Sequence, residues 1–256
     1  MIRQKLKASL IHLVISASVI GCFLIFALTV WYPQPFFDIS GLQHIILLLI
    51  SVDVILGPLL TLVVFKPKKS TLKLDLSVIA IIQIIALGYG MYTIYAAHPL
   101  YVAYAIDRFT PINTNEVSPA KAKYAELQKS KFSGPTLVYV KKPSDPAEMS
   151  RVTLEVLSGK PDLDARPEYY EPFNKFVQTV ITQGLDPKQL FISPQEKEKL
   201  ADFLHEHGKT MDGYAFFALS GKEKDVVWAF NRTTAQPAGV LDVNPWKTTA
   251  KVASVN

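Results

Sequence analysis

Cysteine is almost absent from this sequence: Cys22 is the only one, and it sits in an apolar run near the N-terminus. A disulfide within residues 99–256 is therefore excluded, and so is a structural zinc site built on thiolates. That stretch must hold together by its own apolar core, which a segment of its length can supply. Catalytic signatures are missing as well. There is no G-x-S-x-G, no H-E-x-x-H and no glycine-rich phosphate cradle. His205 and His207 stand two apart on a helical segment, ~200° around its axis, and cannot chelate on one face. Asp162 and Asp164 lie in a proline-bounded loop, where solvated carboxylates are the default. His12, His44 and His98 fall near the ends of apolar runs, which suits an interface better than chemistry. No catalytic residue, metal or cofactor is expected, and the sequence does not read as an enzyme. A basic surface is also lacking. The net charge of +5 comes mostly from Arg3, Lys5, Lys7, Lys66, Lys68, Lys69 and Lys73, which flank apolar runs. The remainder is nearly neutral, so nucleic acid is not an expected partner.

What is abundant is apolar sequence, concentrated at one end. Residues 11–31 carry no charge and are long enough, at ~1.5 Å per residue, to cross a ~30 Å hydrocarbon core. A cleaved signal peptide would have a shorter core of ~7–15 residues, whereas this run ends in the interfacial pair Trp31-Tyr32. Residues 41–65 and 76–97 form two further spans. The loop between the first two has no Lys or Arg, while residues 66–75 hold four lysines. The positive-inside rule then puts the N-terminus and residues 66–75 in the cytoplasm, and everything after His98 on the other side. Tyr89, Tyr92 and Tyr95 are placed as an aromatic belt at the outer end of the third span. The expected division is a membrane domain, residues 1–98, and an exported domain, residues 99–256.

Asp53 is the costly residue of the second span, at roughly +3 kcal/mol on insertion scales. The surrounding Leu, Ile and Val residues, at ~0.3–0.6 kcal/mol each, still favour insertion. Two readings stand: a carboxyl group tucked between the protein's own helices, or a contact for another membrane helix or a polar ligand. Gly57-Pro58 follows one turn later, and Pro58 crowds the carbonyl of Val54, which predicts a kink. Asp53, Gly57 and Thr61 form a small and polar stripe at i, i+4, i+8. Ala17-x-x-x-Gly21 and Ala86-x-x-x-Gly90 are small-residue pairs on the other spans, and Gln83 adds a polar handle. The candidate helix contacts are thus Asp53, Gly57, Pro58, Thr61, Gln83, Ala86 and Gly90.

The exported part alternates strand and helix signals. Strands are expected over 100–106, 135–140, 214–219, 226–230 and 240–243, and a short helix over 120–127. Asp145-Pro-Ala-Glu148 and Ser193-Pro-Gln-Glu196 open two more helices, which should stop near Gly159 and Gly208. The fold class is a three-helix transmembrane region followed by an α+β domain whose antiparallel sheet is covered by helices.

Ser51-Val-Asp-Val-Ile-Leu-Gly-Pro-Leu-Leu-Thr-Leu-Val-Val-Phe-Lys-Pro67, followed by Asp75-Leu-Ser-Val, resembles the membrane part of the type IV pilin accessory proteins, the TfpX/TfpZ family. Arg166-Pro-Glu-Tyr-Tyr-Glu-Pro-Phe173 and Gly239-Val-Leu-Asp-Val-Asn-Pro-Trp246 resemble the same family, so the likeness runs from about residue 42 to 246. Residues 108–135 and the tail beyond Trp246 carry no signature. The resemblance implies a multi-pass protein of the bacterial inner membrane with its C-terminal domain in the periplasm. It implies a chaperone or assembly modulator that binds a cognate type IV pilin without catalysis, with the lipid bilayer as its other partner. Two other classes remain open on the residues alone: a membrane-anchored periplasmic enzyme acting on pili or envelope polymers, and a transporter or sensor subunit with Asp53 on its pathway.

Overall fold

The computed structural model describes residues 2–208 and 210–246; the tail beyond Trp246 lies outside the described residues. The chain forms two compact units, Met1–Trp31 with Gly41–His98, and Tyr32–Ser40 with Pro99–Asn256. The nine-residue stretch between the first two apolar helices therefore belongs with the sheet, although the sequence places it with residues 1–98.

The helical unit contains three helices long and apolar enough to cross a membrane: Ile2–Trp31, Leu42–Val64 and Leu72–Ala96. Val14, Leu59, Val63, Ile82 and Ile85 lie on the outside of this unit, where apolar side chains suit lipid. Two segments depart from α-helix. Ala27–Trp31 and Ser51–Leu56 are π-helical. The second stands where the proline kink is expected: the Gly57 N–H reaches back five residues to the Val52 carbonyl, so the helix widens just before Pro58. At the far end of the first helix Trp31 stacks on His98 at 4.8 Å and meets Tyr95 at 5.5 Å. Tyr89 and Tyr92 point outward.

The sheet unit is built on one seven-stranded sheet in the order β4-β3-β1-β2-β5-β6-β7. Its strands are β1 Pro99–Ala105, β2 Arg108–Asn113, β3 Thr136–Val140, β4 Tyr170–Pro172, β5 Tyr214–Leu219, β6 Val226–Asn231 and β7 Pro237–Leu241. The sheet is mixed, which corrects the antiparallel expectation: β1 runs parallel to β3, and β2 parallel to β5. The cause is topological. β1 and β2 form a hairpin in the middle; the connection after β2 returns the chain on the far side of β1 in the direction of β1, and a long crossover after β4 brings β5 beside β2 in the direction of β2.

Alternation along the strands makes two apolar faces. One carries Val102, Tyr104, Phe109, Phe217, Trp228 and Phe230; it is covered by Phe36 and Ile39 from the Tyr32–Ser40 stretch and by Val180 and Ile181. The other face is covered by the Pro146–Leu157 helix through Val152, and by the Pro194–His207 helix through Phe203. The ladder joining the two halves of the sheet is short, only Arg108↔Ala218 and Phe109↔Leu219. Aromatic packing reinforces it. Phe109 stacks on Phe230 at 5.2 Å and meets Trp228 at 5.0 Å and Phe217 at 5.5 Å edge-on.

Several local expectations change. Residues 120–127 are two 3-10 turns, Pro119–Lys121 and Ala125–Leu127, and no α-helix. Within 120–127 the buried positions are Ala122 and Leu127, which a helix would set ~140° apart around its axis. β2 escaped notice because Pro111 lies inside it; beyond Phe109 its outer edge has no strand partner, and an open edge tolerates proline. The last strand ends at Leu241, earlier than 240–243. Both capped helices form, with Asp145 accepting from the Ala147 N–H and a full capping box between Ser193 and Glu196.

Candidate functional site

The helical unit concentrates its polar groups on one face of the second helix. Asp53, Gly57, Pro58 and Thr61 are all buried, in line with the i, i+4, i+8 spacing. Asp53 lies in the π-helical segment, a geometry that recurs at functional positions. Its carboxyl Oδ1 accepts a hydrogen bond from Gln83 Nε2 at 3.4 Å, across to the third helix. Gly57 makes that crossing possible: a Cβ there would come within 1.9 Å of Gln83 Nε2. Further along, a Cβ on Gly90 would meet Leu49 Cδ1 at 2.5 Å, so the second and third helices also approach closely there. Ala86 is half-buried on the third helix.

The first helix contributes groups that sequence reasoning missed. His12 Nδ1 lies 2.7 Å from Thr61 Oγ1, and Ser9 donates to the Pro58 carbonyl at 2.8 Å. His12 is therefore a contact between the first and second helices, near the Val64 end of the second. A signal was present: Ser9, His12 and Ser16 recur at i, i+3, i+7, a polar stripe at helical period. The Ala17-x-x-x-Gly21 pair, by contrast, does not pack: Ala17 is exposed, and nothing lies within 4 Å of a Cβ on Gly21.

Satisfaction is incomplete at the centre. Asp53 Oδ2 and Gln83 Oε1 are buried and have no hydrogen-bond partner. Asp53 is 3% and Gln83 8% exposed. A cavity of about 520 Å³ lies against them, walled by Ser16 and Ile20 of the first helix, Thr61 of the second, and Ala80 and Ile84 of the third. The arrangement can accept hydrogen bonds at two atoms inside an apolar wall.

The titratable groups of the sheet unit are paired with one another. Glu155 accepts from Arg166 at 2.7 Å and from Arg151 at 2.9 Å, and the Arg166 hydrogen bond holds its carboxyl down at about 2. Asp242 is held below its ordinary value by Lys224, with Lys199 assisting. Asp225 accepts from Trp246 Nε1 at 2.6 Å and from the Gly221 N–H at 3.0 Å. Asp164 corrects the expectation of a solvated carboxylate: it is half-buried, hydrogen-bonded to the Thr110 hydroxyl, and pushed up by that burial. Among the described residues no group of His, Cys, Asp and Glu is arranged to hold a metal ion.

The two short segments that carry the family likeness have structural work. In Arg166–Phe173, Arg166 binds Glu155, Tyr169 donates to Glu148 at 2.9 Å, and Tyr170 packs edge-on against Tyr101 at 5.1 Å. In Gly239–Trp246, a Cβ on Gly239 would meet Phe203 at 3.0 Å, so the glycine lets the Pro194–His207 helix close on β7. The Arg108 guanidinium covers the Trp246 ring at 4.3 Å. The sheet unit also has a groove of about 590 Å³ between the Tyr32–Ser40 stretch and the sheet, lined by Pro33, Phe36, Val102, Leu137 and Trp228.

Comparison with known proteins adds a family. The model for the fimbrial assembly protein FimB matches residues 1–41, ahead of the segments from about residue 42 onward that carry the accessory-protein resemblance. The chain is 35% identical over 113 residues to the fimbrial assembly protein of serogroup I from Dichelobacter nodosus, covering 43% of this chain and 44% of that protein. It is 34% identical over 113 residues to the fimbrial assembly protein of serogroups C1 and C2 of the same organism, covering 43% of this chain and 86% of that one. The serogroup E1 protein matches at 34% over 113 residues, 44% of its length. The match thus spans under half the length of two of these relatives and most of the third. No solved structure matches.

Proposed function

The chain belongs to the fimbrial assembly protein family, and we propose that it serves the assembly of type IV fimbriae as a membrane-embedded accessory protein. In this reading it is of the TfpX/TfpZ kind and binds its cognate pilin without catalysis. The similarity to fimbrial assembly proteins, at 34–35% identity over 113 residues, carries the proposal. The three apolar helices anchor it in the inner membrane, with the N-terminus and the lysine-rich 66–75 loop in the cytoplasm and the sheet unit in the periplasm. One feature of the fold supports three crossings independently of charge, though not which side is which. Tyr32–Ser40 and Pro99–Asn256 belong to one compact unit, so both must lie on the same side of the bilayer. Three crossings satisfy this, because the chain emerges on one side after the first helix and again after the third. Asp53, Gly57, Pro58, Thr61, Gln83, Ala86 and Gly90 hold the helices together, and the varied polar surface of the sheet unit supplies selectivity among pilins.

The test is an exchange. Because the sheet unit includes residues 32–40, those residues must move together with residues 99–256 when the unit is replaced by that of a relative serving another pilin. Surface fimbriae are then scored with each pilin by shearing and blotting. The preference should follow the exchanged segments. Normal fimbriation after deletion of the gene sinks the proposal, and reporter activity in the cytoplasm from fusions after residue 100 sinks the orientation.

A further inference from the structure

The two unpartnered acceptors in the helical unit remain unexplained by packing alone. Asp53 is equidistant from the ends of Leu42–Val64, eleven residues from each, or about 16 Å at ~1.5 Å per residue. Gln83 is similarly central in Leu72–Ala96. In hydrocarbon such groups find partners within the protein or from a bound molecule. Here the protein supplies only one hydrogen bond between them, at 3.4 Å, and leaves Asp53 Oδ2 and Gln83 Oε1 without a partner, on two residues that line a cavity of about 520 Å³. The rim of that cavity is apolar and outward-facing: Ile11, Ile15 and Val19 on the first helix and Ile84 on the third.

We infer that this cavity is a docking site within the bilayer for a hydrogen-bond-donating side chain carried on an apolar membrane helix of the fimbrial subunit. The inference rests on the pilin-binding reading above and assigns it a location. Four observations select that occupant. Gln83 Oε1 can only accept, so the occupant brings at least one N–H or O–H. Lipid tails have no donors, and a lipid headgroup sits some 16 Å away at either interface. A water-borne ligand has no apolar surface to match the isoleucine and valine rim. A helix with one polar side chain meets both demands, filling the cavity with the side chain and covering the rim with its apolar face.

Gly57 and the π-helical segment are part of the same construction. Gly57 lets Gln83 lie across the second helix, and the widened turn presents Asp53 beside it. The Asp53 and Gln83 groups are thereby held at one depth before any partner arrives.

The test uses the full chain in native membranes, with a photo-crosslinking amino acid at Ile84 on the rim and, as a control, at Leu60 on the second helix away from the cavity. Crosslinks are detected with antibody to the fimbrial subunit. Ile84 should crosslink to the subunit and Leu60 should not. Asp53→Leu and Gln83→Leu should each lower the Ile84 yield about 5- to 30-fold, the range for losing one interhelical hydrogen bond. Ala80→Phe fills the cavity without touching either polar group and should abolish the crosslink while the protein remains in the membrane. An Ile84 crosslink undiminished by all three substitutions overturns the site, and so does an Ile84 crosslink to a second copy of this chain. If Ile192 on the sheet unit crosslinks to the subunit while Ile84 does not, the site is wrong and the pilin-binding reading stands. If neither position crosslinks and the deletion strain is normally fimbriated, the reading itself has failed.

Discussion

Gly221→Ala should detach the Tyr32–Ser40 stretch from the sheet. A Cβ at Gly221 would sit 2.3 Å from the Lys224 carbonyl oxygen, 2.6 Å from Ile39 Cβ and 2.7 Å from the Ile39 carbonyl oxygen. Two of these are backbone atoms, so no side-chain rotation relieves the clash. The Lys224 oxygen belongs to the same β5–β6 turn, which must shift locally, while against Ile39 the stretch and the turn must part by about 1 Å to restore an ordinary ~3.4 Å contact. Parting breaks the hydrogen bond from the Glu223 N–H to the Ile39 carbonyl, 2.9 Å long and worth ~0.5–1.5 kcal/mol. It also wets Ile39 and Phe36, which are 2% and 6% exposed. Full exposure would cost ~1.5–3 kcal/mol each, and a third to a half of that loss brings the total to about 2–4 kcal/mol. The assay is limited chymotrypsin digestion of the full-length protein in detergent, with cleavage mapped at Phe36 and Phe37. Trypsin has no site in this stretch. Where opening precedes cleavage, the rate follows the opening equilibrium, so cleavage there should rise about 30- to 1,000-fold. Gly21→Ala, with open space around its Cβ, is the matched control. Cleavage of the Gly221 variant within threefold of wild type would show that the stretch is not held as argued.

Three other outcomes follow from the same contacts. Glu155 is held at about 2 by Arg166, so its contribution to stability is present above the ordinary carboxylate range and fades as pH falls from about 4.5 toward 2. Thermal melts should therefore separate wild type from Glu155→Gln at pH 7 and bring them together near pH 2; a gap that does not narrow refutes the ion-pair account. Asp164 has the opposite sign. Burial raises its folded value, so its ionisation opposes folding at neutral pH, and Asp164→Asn should raise the melting temperature at pH 7 while matching wild type near pH 3. An Asn variant that melts lower at pH 7 would mean that the Thr110 contact outweighs desolvation. Gly57→Ala should displace Gln83 from Asp53 and weaken the helical unit by about 1 kcal/mol in detergent unfolding; unchanged stability would mean that Gln83 has another place to go.

Much of this architecture was legible in the residues, for reasons that differ by element. The three long helices stand out because charge is absent over lengths that only a bilayer or a large core can bury. The helices opened by Asp145 and Ser193 were legible because capping is local chemistry: one side chain meets one backbone N–H two or three residues on. β5 matched residue for residue and β6 overran the expected 226–230 by one, since their buried aromatic and β-branched side chains run without a break. What stayed hidden depends on partners distant in sequence. Pro111 disguises β2 until its open edge is known, and a parallel or antiparallel neighbour leaves no mark on a strand's own residues. Nothing local to Phe36 and Ile39 announces that Trp228 and Gly221 will receive them. In the candidate site the stripe Asp53, Gly57, Thr61 was readable from spacing, whereas the reply of His12 and Ser9 required knowing which face the first helix turns inward.

The sheet unit is assembled from two pieces of chain separated by residues 41–98. That has a consequence for biosynthesis. Residues 32–40 leave the ribosome early, but the sheet that buries Phe36 and Ile39 does not exist until β6 has been made. At ~5–20 residues per second the wait is on the order of ten seconds or more. During that interval two further apolar helices are made, and the aromatic face of β1 and β2 is present without its cover. Completion of this unit therefore comes only after both further helices have been synthesised. A nascent chain stalled before residue 226 would expose Tyr104, Phe109 and Phe36 together, a sticky surface of the kind that quality control recognises in unfinished proteins.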